Sequence, residues 1–363
     1  MDTTAVAVSR PNPTNFNPSY FSRRSDRRPD ETIGLAKAIL ADVMRYRRMA
    51  GAGSKCAADC PRCMAPHLAK VVQAIRERKP VTFVLPAFPG KSPNRAKVFG
   101  PSTDMAERRA LLFLGSLCDR VQQRYAPGAH IILCSDGRVF SDVVGMKEVD
   151  VTLYQQEIKR LIDELGLSSL STFDLDTSVL EDTPHSPAGF DSMREQLMAR
   201  FGTSLEGLRA SVKRGGQPDA DAECIEKHRM YCGITRFLVE DSTFPGQTAS
   251  RSAIQKDCRK RAYEVIRRSN AWSALVAEQF PEAVRLSIHP QSCGSEKLGI
   301  QLMGEETWMT PWHGVAVNIG TSFILAKREQ VEALGARLVR SQDGRPSHFE
   351  MSADTAKLLR GAR

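Results

Sequence analysis

No stretch of this chain is apolar enough to cross a bilayer. Its longest apolar runs are a few residues, against the roughly 20 that a spanning helix requires. Residues 1–32 have no apolar core of the kind a secretory signal carries, and their Asn, Pro, Ser and Arg content favours a mobile extension over a packed element. Nowhere does G-x-G-x-x-G follow a predicted strand, and no P-loop occurs, so neither a dinucleotide site nor a phosphate-cradling nucleotide loop is supported. Cysteine is present nine times. An odd number so scattered does not describe a disulfide framework and points to a reducing, cytoplasmic setting.

What is present suits a sizeable globular enzyme. The 363 residues are 41% hydrophobic and 26% charged, enough for a substantial core without the bias of a fibre or a disordered chain. The formal charge of +9 suits an anionic small substrate as well as a polyanion. The densest basic run, Arg259 to Arg268, carries Tyr263, Val265 and Ile266 at helical spacing, so it reads as one solvated helix face before it reads as a nucleic-acid contact. No recognisable nucleic-acid module accompanies it, and neither nucleic acid nor membrane is expected as a partner.

Periodicity predicts helices over 31–48, 67–78, 154–165, 190–212 and 251–279, the last with a break near Ser269. Asp104 and Glu107 have capping-box spacing ahead of a further helix carrying Leu111, Leu114, Leu117 and Val121. Short β-branched runs at 81–85, 131–135 and 171–175 alternate with these helices, which implies a parallel sheet with helical crossovers. The segment 212–223, VKRGGQPDADAE, reads as an exposed linker or loop. Beyond it, 284–289 and 298–302 alternate as a hairpin that brings Lys297 near Arg285, and 315–318 with 322–326 make a second hairpin around Gly320. The expected class is α/β: a Rossmann-like, partly parallel sheet flanked by helices, with a smaller and more antiparallel C-terminal region. The expected division is an extension over 1–30, the Rossmann-like part over 31–212, a helical and antiparallel part over 213–345, and a tail over 346–363.

Polar clusters fall where such strands end. After Val81–Leu85 comes KSPNR, whose Lys91, Ser92 and Asn94 sit in a proline-constrained loop suited to holding a phosphate or carboxylate through charge-assisted hydrogen bonds. After the next strand, Asp136, Arg138 and Asp142 offer carboxylates for proton exchange and a guanidinium for an anion. Arg285 and His289 share one strand face, and Trp312 with His313 directly precedes another strand. Each cluster also has a bland reading as a surface turn, a structural ion pair or a satisfied core side chain. Cys56, Cys60 and Cys63 have the C-x3-C-x2-C spacing of a radical-SAM cluster, with one iron left open for the cofactor. No recognisable strand precedes them, and Arg62 stands where that family usually has an aromatic residue. Cys60, Cys63 and His67 resemble part of a zinc site, but no fourth ligand is evident. Ordinary structural cysteines are the simpler reading, and no metal is assigned.

Taken in order, LPAFPGKSPNRAKVFG, CSDGRVFSDVVG, GITRFLVEDS, AYEVIRRSNAWSALV, RLSIHPQSCGSEKLGIQL and TPWHGVAV closely resemble the isonitrile synthase family of pyoverdine and dityrosine biosynthesis, over about residues 31–328. The wording is most similar to the paerucumarin-pathway L-tyrosine isonitrile synthase. The resemblance implies a Rossmann-like fold and joining of an L-amino acid, tyrosine first and tryptophan second, to ribulose 5-phosphate. Its α-amino group then becomes an isonitrile, with the sugar phosphate as carbon donor and no metal or redox cofactor. It also implies an iron and 2-oxoglutarate oxygenase as a downstream pathway partner. On this reading Lys91, Ser92, Asn94 and Arg285 or Lys297 hold the phosphate, while Asp136, His289 and His313 transfer protons. Asp142 and Arg138 orient them, Arg236 or Arg267 meets the amino-acid carboxylate, and Trp312 lines the side-chain pocket.

Overall fold

The computed structural model describes residues 29–50, 56–178, 187–244, 246–304 and 309–361. All but the last two positions of the expected N-terminal extension lie outside the described residues. Two helices, α1 (Pro29–Met44) and α2 (Pro61–Glu77), lead into β1 (Val81–Pro86). The order continues α3 (Met105–Arg124), β2 (Ala129–Ser135), α4 (Gly137–Val144), α5 (Glu148–Glu164) and β3 (Leu170–Asp174). Four helices follow: α6 (Pro187–Phe201), α7 (Leu205–Arg214), α8 (Ala222–Asp241) and α9 (Arg251–Gln279). Then come β4 (Val284–Ser287), β5 (Leu298–Gly299), β6 (Val315–Asn318), β7 (Phe323–Ala326), α10 (Arg328–Ala333), β8 (Arg337–Arg340), β9 (Pro346–Glu350) and α11 (Ala353–Gly361).

The first five strands form one sheet in the order β3-β2-β1-β4-β5, and every pairing in it is parallel. Phe83 and Leu85 on β1, Ile131 and Leu133 on β2 and Leu286 on β4 face a core shared with α1, α2, α3 and α5. The opposite face, with Val84, Cys134 and Phe173, packs against α4, α6, α8 and α9 around Trp272. Helices on both faces explain why these strands read as nearly continuous apolar runs. The expected capping box is present: Asp104 accepts from Ala106 N at 2.8 Å, and Glu107 accepts from Asp104 N at 3.0 Å.

Several expectations need correction. β4 and β5 do not form a hairpin; they pair in parallel, Leu286 opposite Leu298, and the intervening residues 288–297 cross over the strand ends. Alternation alone carries no strand direction, so it could not separate the two cases. Arg285 nevertheless falls close enough to Lys297 to lower its pKa. The β6–β7 hairpin does form, with Val315 opposite Ala326 and Gly320 at φ +91. Its sheet is mixed: β9 joins β6 in parallel and β8 pairs antiparallel with β9, giving β7-β6-β9-β8. The segment 346–363, expected as a tail, therefore supplies β9 and α11.

Among the helices, the predicted 190–212 stretch breaks at Gly202, where a Cβ would lie 2.2 Å from Met198 O. Ser204 then caps α7 by accepting from Gly207 N at 3.2 Å. α9 runs through Ser269 without a break. α8 has no counterpart in the sequence reading; it opens on Asp221, which accepts from Cys224 N at 2.8 Å.

Candidate active site

From β1 the chain steps outward through β2 to β3, then returns to lay β4 and β5 on the other side of β1. Connections leaving the carboxyl ends of β1 and β4 thus diverge, which opens the crevice where parallel α/β sheets bind ligands. Four segments converge there: the loop after β1, the start of α4 after β2, the β4–β5 crossover, and the 3₁₀ turn Pro311–His313 ahead of β6.

The β1 loop is bolted down rather than open. Lys91 donates to Asp104 Oδ2 at 2.8 Å and Pro311 O at 3.0 Å, and lies 2.9 Å from Glu107 Oε2, all three side chains being buried. Tyr154 donates to Glu107 Oε1 at 3.0 Å. Burial would lower the Lys91 pKa, but the two carboxylates outweigh it and raise it; burial pushes Glu107 up to about 7. With its ammonium protons committed here, Lys91 is not placed to hold a phosphate. Asn94 is also occupied: its amide donates to Glu240 O and Thr243 O at 3.0 Å each, and its Oδ1 accepts from Ala96 N at 2.9 Å. Ser92 donates its hydroxyl to Asp241 Oδ1 at 3.0 Å and its backbone N–H to Trp312 O at 2.8 Å. These bonds tie the loop to Asp104, Pro311 and the end of α8; direct phosphate contact by Lys91 and Asn94 is not what they provide.

Asp241, at the end of α8, is the hub of the crevice floor. It accepts from Ser92 and from Lys97, and its Oδ2 lies 3.9 Å from His313 Nδ1. Burial raises its pKa against the pull of Lys97. The His313 ring stands edge-on to Phe237, centroids 4.6 Å apart, and Lys97 sits 5.5 Å over the same phenyl ring. His313 Nδ1 is buried and has no hydrogen-bond partner among the described residues. Burial, reinforced by Lys97, pushes the imidazole down to about 3, so it is neutral near pH 7 and a weak base until a neighbouring charge such as Asp241 offsets that burial.

Asp136 lies just beyond β2, where Ser135 donates to Phe88 O at 2.9 Å. A Cβ at Gly137 would strike Pro89 O at 1.9 Å, so only glycine lets α4 begin so close to the β1 loop. Asp136 makes no side-chain cap bond. Desolvation raises it to about 7, where a carboxyl can donate and accept protons at physiological pH. His289 is exposed at the rim of the crossover, yet surrounding protein desolvates it and, with Arg48 and Lys297, lowers its pKa. Its charge is felt in turn at His313. The segment 47–50 braces this crossover. Arg48 donates to Ile288 O at 2.6 Å, and backbone bonds join Arg48 to Gly299 and Gln291. Half-buried Lys297 lines a recess with Arg48, His67 and Gly299. Arg285 reaches Ser273 Oγ at 2.5 Å. Desolvation first and then Arg285 lower the Lys297 pKa, against the opposing pull of Glu226 and Glu296.

Other expected site residues serve the scaffold. Arg138 is buried, bonded to Glu148 Oε2 at 2.7 Å and Asp176 Oδ2 at 3.3 Å, and stacked 3.8 Å over Phe190. Asp142 takes a two-pronged bond from Arg268, at 2.6 and 3.0 Å. Neither orients Asp136: their partners tie α4 to α5 and α9. Arg267 donates to Thr203 O at 2.9 Å and pairs with Glu264, away from the crevice. Arg261 and Arg268 reach the carbonyls of Val143 and Val139. Three of the five cations of the basic run, Arg261, Arg267 and Arg268, thus hold α9 to its neighbours. Arg236 is exposed on α8 beside Phe237 and one turn before Glu240. Trp312 is buried against Phe88, centroids 5.3 Å apart, so it supports the turn that carries His313. Sequence reading missed Lys97, Phe237 and Asp241. All three lie in segments already singled out, but α8 itself was not anticipated, and nothing local indicates that position 241 meets position 97.

Residues 71–339 match the family model described as pyoverdine/dityrosine biosynthesis protein. The chain belongs to this family. Among its relatives, the L-tryptophan isonitrile synthase AmbI2 of Fischerella ambigua is 44% identical over 87% of this chain and 91% of that protein. The L-tyrosine isonitrile synthase of Xenorhabdus nematophila is 44% identical over 80% and 84%. That of Pseudomonas aeruginosa is 41% identical over 89% and 96%. The crystal structure of the PvcA protein from Pseudomonas aeruginosa superposes with a TM-score of 0.78 at 39% identity, covering 87% of this chain and 99% of that one. The isonitrile synthase family read from the motifs is thus the family of this chain, and the parallel-sheet fold is shared with a solved member.

Proposed function

We propose that the protein is an isonitrile synthase that converts the α-amino group of an aromatic L-amino acid to an isonitrile, with ribulose 5-phosphate as carbon donor. Tyrosine is the first choice of substrate and tryptophan the second; relatives named for each are 44% identical to this chain, so identity does not rank them. The observation that carries the reading is a neutral imidazole, His313, whose unpartnered Nδ1 lies 3.9 Å from the buried carboxylate of Asp241. The first step requires such a base, because an ammonium group has no lone pair to attack a ketone.

In this account His313 takes the ammonium proton and the freed amine adds to the sugar ketone. Asp136, at about 7, protonates the departing hydroxyl, so that water leaves and an imine forms. The same carboxyl and His289 then move the protons needed for enolisation and carbon–carbon cleavage. Lys297 and Arg285 hold the phosphate, which is remote from the bonds that change; its binding energy fixes the sugar for reaction. Arg236 meets the amino-acid carboxylate. The reaction needs no metal or redox cofactor, and an iron and 2-oxoglutarate oxygenase acting later is the pathway partner.

The test is incubation of the purified protein with ribulose 5-phosphate and either tyrosine or tryptophan, read by mass spectrometry for the corresponding isonitrile. Product from either amino acid, and none when ribulose replaces its phosphate, is expected. No product from either would overturn the assignment.

A further inference from the structure

Four cysteines close on a single point away from the crevice floor. Cys56 and Cys60 precede α2, Cys63 lies in its first turn, and Cys293 comes from the β4–β5 crossover, 230 positions beyond Cys63. Their sulfur atoms all lie within 4.8 Å of one another, with Cys63 to Cys293 at 3.3 Å and Cys60 to Cys293 at 3.9 Å. The sequence spacing showed three of these thiols; the fold brings the fourth.

We propose that Cys56, Cys60, Cys63 and Cys293 bind one structural zinc ion as a closed four-thiolate site. Tetrahedral Zn–S bonds of about 2.3 Å place neighbouring sulfurs about 3.8 Å apart, which falls within the separations found here. A [4Fe–4S] cluster attaches each cysteine to a different iron and a [2Fe–2S] cluster divides four between two irons, so both must hold some of their sulfurs farther apart, and a radical-SAM cluster leaves one iron without a protein thiolate. Four converging sulfurs fit neither arrangement. On binding, each thiol gives up its proton to solvent, and the filled site carries two net negative charges.

The surroundings suit that charge. Cys60 is the N-cap of α2 and makes no capping bond through its side chain, so the positive end of the helix faces the thiolates. Arg47 donates to the carbonyls of Cys56 and Ala57, and the Arg62 side chain lies against Gly294. The position of the site gives it a purpose. Cys293 lies between His289 and Lys297, so the ion would pin the catalytic crossover to α2 ahead of the two-residue β5.

The decisive experiment is metal analysis of the full-length protein purified with reductant and without chelator, followed by replacement with Co²⁺. One zinc per chain is expected, released on mercurial titration of the thiols, and Co²⁺ should give the intense visible bands of a tetrahedral tetrathiolate. Cys293→Ser should lose at least tenfold in zinc affinity, whereas Cys232→Ser, on the exposed face of α8, should retain the metal. Should Cys293→Ser fail to fold, the cobalt spectrum of the unaltered chain still decides. Iron in place of zinc, a Cys63–Cys293 disulfide in the reduced preparation, or no tetrahedral cobalt spectrum would overturn the proposal. None of these readouts depends on which substrates the crevice takes.

Discussion

Nδ1 of His313 stands 3.9 Å from Oδ2 of Asp241, too far for a hydrogen bond in the resting state but close enough for attraction once the ring gains a proton. Such a pair favours the imidazolium when it forms without holding the ring charged beforehand. His313→Gln should therefore lower kcat by roughly 10²- to 10⁴-fold, the usual worth of a positioned base, with little change in the apparent affinity for ribulose 5-phosphate. Asp241→Asn should give a smaller loss in kcat and move the acid limb of the kcat profile to lower pH, since it removes the charge that favours the imidazolium. A kcat for His313→Gln within threefold of the parent would remove it from the chemistry.

Asp136 should behave as a functional residue that costs stability. Its pKa is raised from 3.8 to about 7, so the folded state binds the proton more tightly. The associated stability is fully present below about pH 4 and is lost as pH rises through 7. Asp136→Asn removes the ionisation and should melt at a higher temperature than the parent at pH 8, with the difference shrinking toward pH 4, while turnover falls. The check is a set of melting curves across that range. His313 has the opposite sign: its depressed pKa, about 3 against 6.5, contributes stability above pH 6.5 that is lost as pH falls toward 3.

Lys91→Met should act on folding and not on sugar-phosphate affinity. It leaves Asp104 and Glu107 buried without their cation, a loss of about 3–5 kcal/mol for a broken buried pair. Adding Asp104→Asn and Glu107→Gln should recover much of it. Denaturant melts measure both variants, and a raised KM for ribulose 5-phosphate with unchanged stability would return Lys91 to the phosphate site.

Lys297→Ala and Arg285→Ala should each raise KM for ribulose 5-phosphate by about 10- to 100-fold, the equivalent of a charge-assisted hydrogen bond, while KM for the amino acid stays constant. Steady-state kinetics with each substrate varied in turn separates the two. Equal effects on both substrates would argue against a phosphate role.

The parallel sheet was legible because β1, β2 and β3 are short apolar runs separated by helices with clear periodicity and, at Asp104, a capping box. β4 and β5 were legible as strands but not in direction, because side-chain alternation is the same for parallel and antiparallel neighbours. The candidate site was legible as strand-end loops: Asp136 follows β2, His289 follows β4, and His313 lies close enough to His289 to feel its charge. What could not be read was which polar groups are already satisfied. Lys91 and Asn94 look like ligands in a loop, yet the groups they donate to lie 13 to 220 positions away. The same distance effect hid Asp241, whose meaning depends on Lys97, and Cys293, which completes a cluster that begins at Cys56.

The most direct test of the central claim is to follow the donated carbon. Incubating the protein with tyrosine and ribulose 5-phosphate labelled at carbon 2 should place the label in the isonitrile carbon, visible by mass and by carbon NMR. An unlabelled isonitrile, or label recovered only in sugar fragments, would contradict the account.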